Sequence, residues 1–127
     1  YGIKYFSGDP IAITANEKLL ANIKLIYGSF NVFGGCSVGI SYLYINNNGK
    51  VAFCPMLNDV ILGDPETQSI QDIWKNNNEF KRMRSRDVGG NCVSCEYKKL
   101  CGGCRAHSQS QYDEMYRGDP VCQINPQ

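Results

Sequence analysis

The sequence predicts a small α+β fold, with one two-stranded β-hairpin, two or three helices, and long loops through its last third. Three observations carry that expectation. Strand-forming Tyr42, Tyr44, Val51 and Phe53 flank Asn47-Asn48-Gly49, a run with the chemistry of a hairpin turn. Two segments, 14–27 and 69–83, repeat apolar residues at helical spacing. The seven cysteines all fall after residue 35, four of them between Cys92 and Cys104, among glycines that favour irregular backbone.

The elements follow in order. "YGIKYF" reads as a short strand closed by the turn "SGDP". "TANEKLLANIKLIYG" reads as a helix that starts on a Thr14/Glu17 capping box and stops at Gly28. Its stripe of Leu19, Leu20, Ile23, Ile26 and Tyr27 is core, or a face that docks on a neighbour. The hairpin is "SYLYINNNGKVAFCP", with Gly49 free to take a positive φ. "SIQDIWKNNNEFKRM" reads as one helix begun by Ser69 and Asp72. Ile70, Ile73, Trp74, Phe80 and Met83 form its apolar face, with Trp74 a packing anchor. "VGGN" breaks that helix. The closing stretch begins as a short helix after Cys104 and ends in a turn at Gly118-Asp119-Pro120. Asp113, Glu114 and Asp119 read as turn and surface groups.

A chain of 127 residues can bury a core of its own, so its cysteines are not obligatory staples. A net charge of +1 argues against nucleic-acid or membrane binding driven by charge. The basic clusters Lys81, Arg82, Arg84, Arg86 and Lys98, Lys99, Arg105 read as solvated faces. No apolar run reaches membrane-spanning length, and no secretory signal is present. The chain begins at Tyr1, so a fragment or processed product of a larger parent is expected. Seven cysteines cannot all pair, and without a mark of secretion the reducing cytoplasm is expected. Clustered cysteines there read as metal ligands.

Three chemistries compete for "NCVSCEYKKLCGGCRAH". A redox disulfide motif fits poorly, because two C-x-x-C pairs only five residues apart do not match a single motif in a βαβ unit. A structural zinc site usually separates its two pairs by a dozen residues or more, and would leave Cys36, Cys54 and Cys122 without a role. An iron–sulfur cluster presents several iron atoms, so thiolates of one tight loop can each take a different one. By the logic of two-cluster ferredoxins, Cys92, Cys95 and Cys101 bind one cluster and Cys104 crosses to another. Glycines 89, 90, 102 and 103 would let backbone N–H groups approach the sulfurs. Lys98, Lys99 and Arg105 would offset the clusters' negative charge.

Taken in order, the cysteines match a longer pattern. From Cys36, twelve residues lead to Gly49 and four more to Cys54. Cys92, Cys95 and Cys101 follow at spacings of two and five, then Cys104 after two, and Cys122 closes in "GDPVC". With "CEYKKLCGGCRA", "SIQDIW" and a hairpin ending in "CP", this resembles the SPASM domain, the auxiliary-cluster domain of many radical S-adenosylmethionine enzymes. The resemblance covers residues 34–122. It departs at Gly102-Gly103, where the family places three residues rather than two.

The resemblance implies two 4Fe–4S clusters with the loops wrapped around them. Cys36, Cys54 and Cys104 would hold the first, nearer the catalytic site, and Cys92, Cys95, Cys101 and Cys122 the second. Seven ligands leave one place, which implies an open iron able to take a substrate thiolate, a ligand from elsewhere in the parent, or a non-cysteine ligand. His107, the one histidine, is a candidate by position. No C-x-x-x-C-x-x-C occurs, so the chain alone is not expected to cleave S-adenosylmethionine. That cofactor would bind only in the parent's radical barrel, with 1–33 a connector from that barrel and 34–127 the SPASM-like domain. The implied role in this oxidoreductase or maturase is electron transfer or positioning of a peptide or small-molecule substrate. The alternatives are a non-catalytic docking module and a structural zinc protein. Zinc is also expected to fill the same thiolates in a chain prepared in air.

Overall fold

The structure, a computed structural model, describes residues 35–124 and residue 126. The strand expected over 1–6 and the helix expected over 14–27 lie outside the described residues. The chain divides into two compact units. One is Ser37–Asp87, the sheet unit; the other joins Val88–Gln127 to the segment ending at Cys36, the cysteine unit. The class is α+β as expected, with three strands and three helices among the described residues.

In the sheet unit, β1 (Tyr44–Ile45) and β2 (Val51–Cys54) form the expected hairpin, paired Tyr44 to Ala52 and Ile45 to Val51. Its turn is tied by Asn46, whose Oδ1 accepts from the N–H groups of Asn48 and Lys50, both at 3.0 Å. Gly49 takes φ +75° in open space, the role its missing Cβ allows.

The hairpin is not the whole sheet. A third strand, β3 (Leu57–Gly63), pairs antiparallel with β2, so the expected two-stranded hairpin is corrected to a three-stranded sheet in the order β1-β2-β3. The alternation that announces a strand is missing from β3, where Val60, Ile61 and Leu62 run consecutively. Irregularities between Val51 and Ala52 and between Ala52 and Cys54 shift the register instead. The central strand β2 is covered on both faces: Val51, Ala52 and Phe53 are all fully buried. Lys50 clips the far end of the sheet through Asp64 at 2.7 Å and Glu66 at 3.2 Å.

The single helix expected over 69–83 is two helices, α1 (Ile70–Asn76) and α2 (Asn78–Ser85). Ser69 caps α1 as expected, its hydroxyl accepting from the Asp72 N–H at 3.0 Å. The break falls at Asn77, which is extended at φ −61° and ψ 131°. Its side chain makes the break favourable. Oδ1 accepts from the N–H groups of Glu79 and Phe80, and Nδ2 donates to the Leu62 carbonyl at the end of β3 at 2.7 Å. Ile73, Phe80 and Met83 then bury against the unit's core, while Ile70 stays largely exposed. Trp74 packs on Phe80 with ring centroids 5.5 Å apart, the anchor role expected of it.

The first basic cluster is not a plain solvated face. The Arg84 guanidinium lies over the Trp74 ring at 4.6 Å and its Nε donates to the Gly39 carbonyl at 2.7 Å. Arg86 is buried and ends α2 in the left-handed region at φ 53°. The helix therefore stops at Ser85, with Arg86 as its cap, ahead of Val88-Gly89-Gly90.

Candidate metal centre

The cysteine unit contains one helix, α3 (Arg105–Tyr112), among its described residues; the rest is turns. A 3-10 turn over Gly90–Cys92 starts it, anchored where the Gly89 N–H donates to the Tyr116 carbonyl at 2.6 Å. Successive tight turns then carry the chain from Cys92 to Cys101. The Cys95 N–H meets the Cys92 carbonyl, the Lys98 N–H the Cys95 carbonyl, and the Cys101 N–H the Tyr97 carbonyl.

Gly102 and Gly103 both take φ near +68°, a succession that side chains disfavour. That is how two residues suffice between Cys101 and Cys104. The turn also aims the Gly103 N–H at the Cys101 sulfur, 3.4 Å away, the contact expected of glycine at a sulfur-ligated site. A Cβ on Gly103 would collide with Arg105 and Asp119. On the other side, Gly35 sits at φ +60° so close to Cys101 that a Cβ there would overlap the Cys101 carbonyl. Cys36 follows directly.

Four of the seven cysteines line a common cavity: Cys92, Cys95, Cys101 and Cys122, with Lys98, Gly102, Gly103 and Asp119 also on its wall. They are the four expected to share the second cluster. The thiols ring the cavity without meeting at a point; among the described residues no three Cys, His, Asp or Glu side chains are grouped to hold one metal ion. Cys36 and Cys104 belong to the same unit but do not line this cavity, and Cys54 ends β2 in the sheet unit.

Burial raises the thiols of Cys92 and Cys101, the latter to about 11. The Gly103 N–H opposes the shift at Cys101; a backbone hydrogen bond from Asp119 and the Arg105 charge oppose it at Cys92. Both thiols are protonated at neutral pH in the metal-free chain, and ligation must displace those protons.

Asp119 departs from its expected surface role. It is 3% exposed, and it organises the site. Oδ2 accepts from the Cys104 N–H at 2.7 Å, fixing the residue that precedes α3. Oδ1 accepts from the Val121 N–H at 3.1 Å, next to Cys122, and faces His107 Nδ1 at 3.3 Å. His107 is thereby engaged with a carboxylate, as a second-layer group would be. Asp113 keeps its turn role, left-handed at φ 54° and exposed.

The donor chemistry fits a thiolate-ligated iron–sulfur group. Four thiols share one cavity, a glycine N–H points at a sulfur, and a buried arginine stands beside them.

Comparison with known proteins agrees. A family model described as an iron–sulfur cluster-binding domain, SPASM, matches residues 36–105. A protein of Methanosarcina barkeri named AdoMet-dependent heme synthase is 33% identical over 93 residues, 72% of this chain and 26% of that protein. Proteins of the same name from Nitratidesulfovibrio vulgaris and Oleidesulfovibrio alaskensis are each 30% identical over 72% of this chain, covering 25% and 24% of their own lengths. The chain thus spans about a quarter of the length of these relatives. No solved structure matches it. Among the described residues, no helix is long and apolar enough to cross a membrane.

Proposed function

We propose that this chain, which belongs to the SPASM family of iron–sulfur cluster-binding domains, is the auxiliary-cluster part of a longer radical S-adenosylmethionine enzyme. The observation that carries the reading is the single cavity walled by Cys92, Cys95, Cys101 and Cys122. Those four would hold one 4Fe–4S cluster. Cys36, Cys54 and Cys104 would hold a second, a proposal that rests on their order in the sequence. Bound clusters of this kind supply one-electron transfer at a potential set by nearby charge and hydrogen bonds.

The chain's own residues do the rest. Cys92 and Cys101 are largely buried where they line the cavity, which would limit water's access to a bound group on that side. The Gly103 N–H stabilises negative charge on the Cys101 sulfur. Asp119 holds the backbone at Cys104 and beside Cys122, so both segments are fixed before metal arrives.

Residues 1–33 would connect to the parent's catalytic barrel, and 34–127 would form the cluster domain, working in the cytoplasm. The role is electron relay or substrate positioning. The relatives' name favours a cofactor precursor over a peptide as the parent's substrate. Cys95→Ala tests the cluster assignment. The variant is expected to hold about half the iron of the wild type after anaerobic reconstitution, and to lose hydrogen-exchange protection over 88–124. Unchanged iron and protection would contradict the assignment.

A further inference from the structure

We propose that the buried guanidinium of Arg105 is the counter-charge of the cluster site formed by Cys92, Cys95, Cys101 and Cys122, and sets the potential of what binds there. The inference rests on the cluster reading above and adds a residue to it.

Arg105 opens α3 directly after Cys104 and is 1% exposed. Among the described residues its hydrogen-bond and ring partners are all neutral. Nη2 donates to the Gly102 carbonyl at 2.7 Å and Nη1 to the Met115 carbonyl at 2.9 Å, and the guanidinium lies 5.6 Å from the Tyr116 ring centroid. Nε is buried and, among the described residues, has no hydrogen-bond partner. Among the described residues, no carboxylate stands within ion-pair distance of it. The nearby buried carboxylate, Asp119, lies beyond ion-pair distance and, while accepting from the Cys104 and Val121 N–H groups and facing His107, balances the Arg105 charge only in part.

A full positive charge removed from water and given only neutral acceptors is strongly disfavoured unless an anion comes to it. Carbonyl acceptors do not require that charge; a neutral donor would satisfy them. The anion the site can supply is on the other side of the wall. Gly102, whose carbonyl Arg105 holds, lines the thiol cavity, and converting four thiols to metal-bound thiolates gathers negative charge there.

Of the three cations the sequence offers near this site, the structure singles out this one. Lys98 lines the cavity but is half-exposed, and Lys99 is exposed and off its wall, so water screens both.

Arg105→Lys keeps the charge and loses the fork; Arg105→Gln keeps a donor and loses the charge. Each is reconstituted anaerobically beside the wild type, with iron and sulfide counted and the reduction steps followed by spectroelectrochemistry. The expected result is that the step removed by Cys95→Ala moves to a more negative potential in Arg105→Gln and stays near the wild-type value in Arg105→Lys. Loss of iron in Arg105→Gln with retention in Arg105→Lys also supports the proposal. Equal iron and equal potentials in all three overturn it. So does an equal loss in both variants, which would assign the residue to its carbonyl bonds rather than its charge. A wild type that takes up no iron overturns the cluster reading itself, and this inference with it.

Discussion

The sheet unit and the cysteine unit are held by different physics. The sheet unit buries Val38, Val51, Ala52, Phe53, Leu57, Ile73, Phe80 and Met83, a mainly hydrocarbon core with Asn46 and Arg86 as its buried polar exceptions, its strands paired and its helices capped. The cysteine unit buries Arg105, Asp119 and Ser108 beside two cysteines, and its described apolar core is little more than Val88 and Tyr116. In the first, burial of apolar surface is enough. In the second, a polar scaffold arranges thiols around a space, and on the proposed reading a bound cluster would supply much of the stabilisation.

The largest expected effect that separates them is Phe80→Ala. It empties a fully buried position and should cost about 3–5 kcal/mol in the sheet unit, read as lost protection over 51–63. Protection over 88–124 in the reconstituted chain should hold. If both fall together, the two units are one cooperative body and the contrast fails.

Gly35→Ala acts on the other side. The new Cβ overlaps the Cys101 carbonyl, and the left-handed backbone adds about 1–2 kcal/mol by itself. Reduced iron uptake with a normal sheet unit is expected; full uptake would mean the close approach of Gly35 is not needed. Asn77→Ala removes the cap of α2 and the bond to Leu62, at about 1 kcal/mol, measurable by urea unfolding. It should leave metal content alone.

The last effect is one of pH, confined to alkaline solution. Burial raises the Cys101 thiol from 9.0 to about 11 and pushes Cys92 the same way. Between those values the folded metal-free chain keeps a proton the unfolded chain has released, so stability falls as pH rises from 9 towards 11 and is unaffected by this group below 9. Thermal melts of the metal-free protein should show that decline, and Cys101→Ser should flatten it.

What was legible in the sequence was local. The hairpin turn at Asn47-Asn48-Gly49, the Ser69 cap and the glycine-bearing cysteine loop each rest on neighbours a few residues apart, and each is present. The break at Asn77 hid inside a helical pattern: its caps on Glu79 and Phe80 are local, but the bond to Leu62 that joins them is fifteen positions away. Asp119 shows both cases in one side chain. Its bond to the Val121 N–H is the short-range turn that "GDP" suggests, while its bond to the Cys104 N–H spans fifteen residues and left no trace in the pattern. Arg105 reads both as part of a solvated basic cluster and, with Lys98 and Lys99, as an offset to cluster charge; its burial, which separates it from the two lysines, is not in the charge pattern.

The central claim is that these thiols are ligands of iron–sulfur clusters. Iron, sulfide and zinc counted per chain after strictly anaerobic reconstitution, with the visible spectrum, test it most directly. About eight irons and eight sulfides are predicted, as two cubanes require. One or two zincs with no iron uptake would contradict it and make the cysteine unit a structural metal module.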